Sequence, residues 1–278
     1  MVENIKEKFK KNKIFILKII LSIINVLLIL LLIFLGIKMY TNYKREKAFE
    51  SSVLDFSEKN QNKIFSIDRI VFFTNSDAKN KTSSSSNFTI ENLYTYTDIA
   101  LFINKTSEEN NLENTLKSVK MTNIQITKKP ELGNPGLYYK SINNFAKSEF
   151  NEENKIEEEL IFSITSEDTT NFDEPVLYNN CANPITISYI NQNIKSDYTI
   201  TDTQNPIVYD GSLLKRCGVT LNYIEANISF DIYVENNKNE KYKTSIYMKI
   251  PYEIEGKSIY DGNIIKKEET NFLFYRYE

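Results

Sequence analysis

An uncharged apolar run near the N-terminus constrains this chain more than any other feature. Residues 19–37 contain no charged side chain. As a helix rising about 1.5 Å per residue they would extend roughly 28 Å, close to the hydrocarbon thickness of a bilayer. Apolar residues from Ile14 onward lengthen the run, and Lys18 lies where its side chain can reach the lipid head groups. We predict a transmembrane helix over 14–40, with the lipid bilayer as its partner.

The run is too long for a cleaved signal peptide, whose apolar core has only about 7–15 residues before a small-residue cleavage site. The residues at 38–41 read KMYT and offer no Ala-x-Ala, so we expect an uncleaved signal anchor. Five lysines precede the run within residues 1–13, against four basic residues at 38–47. The positive-inside rule then predicts a short cytoplasmic tail over 1–13 and an extracellular C-terminal domain.

A second helix signal follows the apolar run. Phe49, Val53 and Phe56 fall on one helical face among charged residues. We predict a helical stalk over 41–63, which can simply continue the membrane helix. The rest of the chain, 64–278, is assigned to one extracellular domain.

Beyond residue 64 the apolar pattern changes to a period of two. Over 224–234 the even-numbered residues are apolar and most odd-numbered ones polar, and 242–250 alternates in the same way after the polar turn at 236–240. This pattern is typical of strands with one buried face, so 222–251 is predicted to be a β-hairpin. Similar alternation occurs in 98–104, 157–165 and 184–190, the last before a turn at 191–193.

Three further segments refine this β-rich prediction. In 118–127 the apolar parity switches, which a β-bulge near Thr122-Asn123 would explain. The stretch 76–88 is predicted to be a flexible loop. Residues 272–277 are apolar on both parities, as in a strand buried on both sides.

No long amphipathic helix separates these strands, so a parallel βαβ sheet is not expected. We predict an all-β ectodomain folded as an antiparallel β-sandwich, broadly immunoglobulin-like in architecture, a likeness of shape that carries no function. Residues 207–216 and 258–267 resemble each other around a shared Tyr-Asp-Gly. Either a duplicated unit or reuse of Asp-Gly turn chemistry would produce this similarity.

The composition excludes several classes of enzyme. The chain has no histidine and no tryptophan, so it cannot contain a Ser-His-Asp triad, a Cys-His pair or a His-ligated metal. It carries no P-loop, GxGxxG, CxxC or GxSxG motif. Ser212, Lys215 and Ser245 could formally supply a Ser-Lys dyad, and paired carboxylates remain open because such partners meet only in the fold. We expect no catalytic residue, cofactor or metal site.

Cys181 and Cys217 are the only cysteines. In an extracellular domain two cysteines suggest a disulfide, which here would stabilise the fold by about 3–4 kcal/mol in the chain-entropy model. Free thiols are the alternative.

Acidic side chains suggest neither a metal site nor a polyanion partner. The loop 167–174, with Asp168, Asn171, Asp173 and Glu174, lacks the spacing and the glycine of an EF-hand. The whole chain carries −3, and residues 1–13 with Lys18 and Lys38 contribute +5, so residues 39–278 carry −8. An acidic domain is a poor nucleic-acid binder, and we expect no nucleic-acid partner.

The amino-acid usage points to the host. Asn, Ile, Lys, Tyr and Phe are abundant and only four of the 34 basic residues are arginines, as expected from an AT-rich genome. We interpret this as the mark of a low-GC, Gram-positive bacterium.

Three functions fit this organisation. The first is a single-pass, membrane-anchored bacterial surface protein whose non-enzymatic β-sandwich binds a partner or builds the envelope. A protein partner or a second copy could meet it through the membrane helix, where Asn25 offers a hydrogen bond, or through the sandwich surface. The others are a pilus-like assembly subunit and a membrane-tethered hydrolase. A prepilin peptidase site has Gly before the apolar run and Glu at the fifth position of the run. Here Lys13 precedes the run and Lys18 is its fifth residue, counted from Ile14. The membrane-anchored surface protein is therefore our main hypothesis.

Overall fold

The structure is a computed structural model that describes most of the chain beyond the N-terminal tail. The described residues are 21–22, 24–48, 64–84, 87–105, 115–164, 176–177, 183–201 and 205–277. By its internal contacts the chain divides into two units, Met1–Gln61 and Asn62–Glu278.

The first unit contains helix α1, Ile24–Ala48, which is long and apolar enough to cross a membrane. Its large apolar side chains are exposed from Ile24 to Met39. Towards its end Lys44 Nζ lies 5.5 Å from the centre of the Tyr40 ring, and Lys47 Nζ lies 5.2 Å from that of Tyr43. The helix therefore runs past residue 40 into the predicted stalk, whose remainder, 49–63, lies outside the described residues.

The described part of the second unit consists mainly of strands, with one short helix, α2 (Ser212–Arg216), and several single 3-10 turns. The strands are β1 (Phe65–Ser84), β2 (Asn87–Lys105), β3 (Leu116–Lys128), β4 (Asn134–Tyr139), β5 (Leu160–Ile164), β6 (Val176–Leu177), β7 (Asn183–Lys195), β8 (Tyr198–Ile200), β9 (Asn227–Asn236), β10 (Lys241–Lys249), β11 (Glu253–Ile254), β12 (Lys257–Ser258), β13 (Ile264–Leu273) and β14 (Tyr275–Arg276).

Two six-stranded sheets account for nearly all of these strands. Sheet A has the order β13-β1-β2-β7-β4, with β8 also paired to β2. Sheet B has the order β14-β10-β9-β3-β5-β6, and β11 and β12 form a separate small hairpin. The pairs are antiparallel except for β5 and β6, which are parallel. The prediction of a mostly antiparallel β-rich domain is confirmed.

The predicted hairpin at 222–251 is confirmed as β9 and β10, in which Phe230 pairs with Ile246. Its beginning differs, because Leu221–Ile224 forms a 3-10 turn with Leu221 and Ile224 both buried. The turn between β9 and β10 is stabilised by Asn236, whose Oδ1 accepts hydrogen bonds from the backbone N–H groups of Lys238 (3.0 Å) and Glu240 (2.9 Å).

The bulge predicted near Thr122-Asn123 is also present. The β3–β9 register shifts between Thr122 and Gln125, and Asn123 has a φ of 51°. Met121 before the bulge is fully buried, and Ile124 and Ile126 after it pack against the same core. The extra residue thus keeps both halves of β3 facing the core.

Three local predictions are wrong. The stretch predicted as a loop over 76–88 instead extends β1 to Ser84 and begins β2 at Asn87, since polar residues here pair across the two strands, with register shifts around Asn80. No turn interrupts β7 at 191–193, where Asn193 takes a φ of 54° and the register shifts instead. The segment 272–277 is not buried on both sides. The chain leaves sheet A after Leu273, buries Phe274, and joins sheet B with Tyr275 and Tyr277 exposed.

The inner faces of the two sheets contribute to one hydrophobic core. Phe65 of β1 packs edge-on against Tyr242 of β10, with ring centres 5.5 Å apart. Tyr139 of β4 packs against Phe162 of β5 in the same way, at 6.0 Å. These contacts join sheet A to sheet B, while an immunoglobulin-like sandwich topology stays a prediction.

Candidate functional site

The outer face of sheet B is the candidate functional surface. Along β9 the even-numbered side chains enter the core, and Ser229, Asp231, Tyr233 and Glu235 point to the opposite side. The neighbouring strands add their own outward residues, so the face is built by strand alternation.

A groove of about 470 Å³ crosses this face. Its wall includes Tyr233 and Tyr277, whose ring centres lie 5.4 Å apart in an edge-to-face arrangement. Lys243 Nζ lies 5.0 Å from the centre of the Tyr233 ring. Ile161 of β5 also lines the groove and is 47% exposed. The groove thus presents two aromatic rings and an aliphatic side chain to solvent.

A second depression of about 340 Å³ lies further along the same face. Asp231 lines it and accepts hydrogen bonds from Lys243 Nζ (2.9 Å), Asn123 Nδ2 (2.7 Å) and Ser245 Oγ. Partial burial raises the pKa of Asp231, but these three donors outweigh it and hold the pKa below its usual value. Tyr247 borders the depression and is 61% exposed.

The charges on this face are largely paired with one another. Lys117 Nζ lies 2.6 Å from Glu235 Oε1, and Lys120 forms an ion pair with Glu159. Such exposed pairs contribute little to stability. They do leave the face without a strong potential of one sign, so tyrosine rings and neutral hydrogen-bonding groups dominate what it offers.

A buried ion pair occupies the opposite side of the domain, on the outer face of sheet A. Lys140 Nζ donates to both carboxylate oxygens of Asp98 at 2.9 Å. Ser188 Oγ donates to Oδ1 (2.6 Å), the backbone N–H of Ala146 donates to Oδ2 (2.7 Å), and Lys140 Nζ also donates to the Lys147 carbonyl. The Lys140 and Asp98 side chains are only 5% and 1% exposed.

Segment 141–156, which connects β4 to the approach of β5, covers this network with aromatic side chains. Phe150 packs against Tyr94 and Tyr138, with ring centres 5.8 and 5.4 Å apart. Lys140 Nζ lies 4.9 Å from the centre of the Tyr96 ring, and burial raises the pKa of Tyr96 to about 12. The network is therefore shielded from water by rings on two sides.

Burial acts on both partners of the ion pair. It raises the pKa of Asp98, against the opposing effect of Lys140, and it lowers the pKa of Lys140, against the opposing effect of Asp98. Both changes favour the neutral forms of the two groups. Because neither group reaches solvent, the pair cannot meet a substrate in this structure.

The residues considered from sequence are scattered. Ser212 of α2 donates to Asp210, and Ser245 of β10 donates to Asp231, so neither hydrogen bond is to Lys215. The acidic loop 167–174 lies outside the described residues, whereas Asn25 lies in α1 and is exposed. Among the described residues no group of three or more acidic or cysteine side chains could hold a metal ion.

The predicted disulfide is not supported. Cys217 is a free, fully buried cysteine in the structure, and Cys181 lies outside the described residues. Burial raises the pKa of the Cys217 thiol to about 11, so the thiolate is disfavoured. The Cys181–Cys217 disulfide stays a prediction, which thiol titration of the denatured, unreduced protein would test.

Sequence reasoning missed both the groove and the ion pair. Asp98 lies in β2 and Lys140 just after β4, and only the placement of β7 between these strands brings them together. The polar residues Thr95, Thr97 and Asp98 within an apolar strand were the available signal of a buried polar site.

No protein-family model matches the chain, and neither does any curated protein or solved structure.

Proposed function

We propose that this protein is a single-pass, membrane-anchored surface protein of a Gram-positive bacterium whose non-enzymatic ectodomain binds another protein through the outer face of sheet B. Helix α1 supplies the anchor. The N-terminus lies in the cytoplasm and the β-rich domain, an antiparallel sandwich with immunoglobulin-like architecture, lies outside the cell.

The observation that carries this proposal is the tyrosine-lined groove on the outer face of sheet B. Tyrosine offers a large, rigid contact area with a hydrogen-bonding end, and it is enriched in protein interfaces for that reason. Tyr233, Tyr247 and Tyr277 all lie on this face, with Ile161 beside them. The charged side chains around them are already paired, which suits a partner that need not be highly charged.

The proposal that the ectodomain is not an enzyme rests on the chemistry of the described residues. Ser245 on this face donates a hydrogen bond to Asp231, and Ser188, Lys140 and Asp98 are buried. An acyl-transfer nucleophile needs a free hydroxyl beside a base and an oxyanion site. We therefore place binding ahead of hydrolysis, and no particular contact favours a pilus-like assembly.

Site-specific photo-crosslinking of the full-length protein in its membrane tests the binding face. A photoreactive residue at Tyr247 should capture one defined protein, and the additional change Tyr233→Ala should abolish that product because it removes part of the groove. The same photoreactive residue at Ile265, 52% exposed on β13 of sheet A, is the matched control. Equal capture from both sites, or capture unaffected by Tyr233→Ala, would refute the proposed face.

A further inference from the structure

The Asp98–Lys140 pair holds an amine and a carboxyl group in direct contact. Lys140 Nζ lies 2.9 Å from each carboxylate oxygen, and rotation of the carboxyl group about Cβ–Cγ would turn its carbon towards the nitrogen. The backbone of β2 holds Asp98, and the Thr186 hydroxyl donates to the Lys140 carbonyl. Groups kept in contact and brought into alignment in this way react with effective concentrations of up to about 10⁵–10⁸ M, far above those of free reactants.

The surroundings supply the other requirements of amide formation. An amine attacks only when it is uncharged, and a carboxyl group accepts attack only when it is protonated. Removal from water favours both neutral forms, and Asp98 and Lys140 are 1% and 5% exposed beneath aromatic rings. Exclusion of water also disfavours hydrolysis of an amide once it has formed.

We propose that the folded protein joins Lys140 Nζ to Asp98 Cγ in an intramolecular amide bond, with loss of one water molecule. The ammonium first passes a proton to the carboxylate, which leaves a neutral amine and a neutral acid. The nitrogen lone pair attacks Cγ, and the new Nζ–Cγ bond forms as the carbonyl electrons move to oxygen.

The observed donors assign a role to each oxygen. The Ala146 N–H, 2.7 Å from Oδ2, stabilises the negative charge that develops there. The Ser188 hydroxyl, 2.6 Å from Oδ1, relays one of the nitrogen protons to that oxygen. The Cγ–Oδ1 bond then breaks, Oδ1 leaves as water, and Oδ2 becomes the amide carbonyl. No oxidant or cofactor is needed.

The exposed lysine–carboxylate pairs elsewhere in the described part of the domain lack this environment. Lys128 Nζ lies 2.8 Å from Glu225 Oε2, but the two side chains are 51% and 25% exposed. Both side chains are in contact with water, so this pair remains an ordinary ion pair. It provides a matched comparison for the reaction.

The test is the mass of the full-length protein, extracted in detergent and denatured. We expect it to be lower than the sequence mass by one water molecule. The turns Asp210-Gly211 and Asp261-Gly262 could lose the same mass as cyclic imides, so peptide mapping is essential. Trypsin should fail to cleave after Lys140, and one branched peptide should contain both Lys140 and Asp98.

The variants separate the cross-link from the ion pair. Lys140→Arg keeps the charge but should restore the full mass, as should Asp98→Ala. Lys128→Arg should still show the mass deficit of one water molecule. Separate, unlinked peptides containing Asp98 and Lys140 in the wild-type protein would overturn the proposal whether or not the variants fold. A deficit that persists in Lys140→Arg would overturn it as well.

Discussion

At the scale of single residues, Asp98 shows how the outer side of sheet A depends on one carboxylate. Its two oxygens accept four hydrogen bonds, from Lys140 (twice), Ser188 and Ala146. Through the Ala146 bond it also holds segment 141–156 over the sheet. A group so placed stabilises the fold only while all of its partners are present.

Removing Asp98 should therefore be costly. Asp98→Ala leaves the Lys140 ammonium buried without a counterion and also removes the proposed amide bond, so we expect the free energy of unfolding to fall by at least about 3–5 kcal/mol. The double variant Asp98→Ala/Lys140→Met should be less destabilised, because it also removes the orphaned charge. Chemical denaturation of both variants measures the difference. A double variant no more stable than Asp98→Ala would show that the charge is not the cause.

Gly211 is a second sensitive position, and its reason is steric. A Cβ added there would lie 2.0 Å from the Ile259 carbonyl oxygen and 2.1 Å from that of Gly262. Gly211→Ala should force backbone to move and destabilise the domain by about 1–3 kcal/mol or more.

Gly256 provides the comparison for Gly211. It has a φ of +72° and open space around it, so Gly256→Ala carries only the conformational cost of about 1–2 kcal/mol. In thermal unfolding, Gly211→Ala should have a lower midpoint temperature than Gly256→Ala. The reverse order would contradict the close approach of the two Asp-Gly turns.

Glu225 links stability to pH. Hydrogen bonds from Lys128 and then Lys249 hold the pKa of Glu225 below its ordinary value of 4.5. A carboxyl group with a lowered pKa stabilises the folded state above its unfolded pKa, and this contribution is lost as the pH falls through the folded value. In Glu225→Gln the free energy of unfolding should thus fall less steeply as the pH drops below about 4.5. An unchanged pH profile of unfolding would mean that this pairing has no effect in solution.

At the scale of elements, β9 shows what alternation alone predicts. Its period of two placed every core residue correctly, since a strand turns successive side chains to opposite faces. Phe230 is 2% exposed, so Phe230→Ala should cost about 3–5 kcal/mol. Ser229→Ala on the outer face should change stability by less than about 0.5 kcal/mol. Equal losses of unfolding free energy for the two variants in urea denaturation would contradict the assignment of Phe230 to the core face and Ser229 to the outer face.

Other elements could not be predicted from local pattern. β1 continues through polar residues 76–84 because these residues pair with 87–95 of β2, and that pairing is not visible in either segment alone. The two similar segments, 207–216 and 258–267, also form different structures. The first contains α2, whereas the second contains β12, a 3-10 turn and the start of β13. Their shared Asp-Gly reflects turn chemistry rather than a repeated fold.

The candidate surface illustrates the same distinction. The outward direction of Tyr233 and Tyr247 follows from alternation within β9 and β10. Their meeting with Tyr277 and Ile161 depends on the sheet order β14-β10-β9-β3-β5, which joins residues far apart in the chain. Sequence reasoning therefore reached the strands but not the groove.

At the scale of the whole molecule, the chain combines an apolar helix with a β-rich domain that has its own core. Helix α1 is long and apolar enough to cross a bilayer, and residues 39–278 carry a net charge of −8. These two properties suit a domain displayed from a membrane. The side of the membrane on which the domain lies decides whether the proposed partner is a component of the envelope.

Protease accessibility on intact cells answers this question. A specific protease site and a tag are added after the C-terminus, and a second version carries them before Met1. We predict that added protease removes the C-terminal tag without lysis and leaves the N-terminal tag intact. Protection of the C-terminal tag until the cells are lysed would place the β-rich domain in the cytoplasm and contradict its role as a surface binding protein.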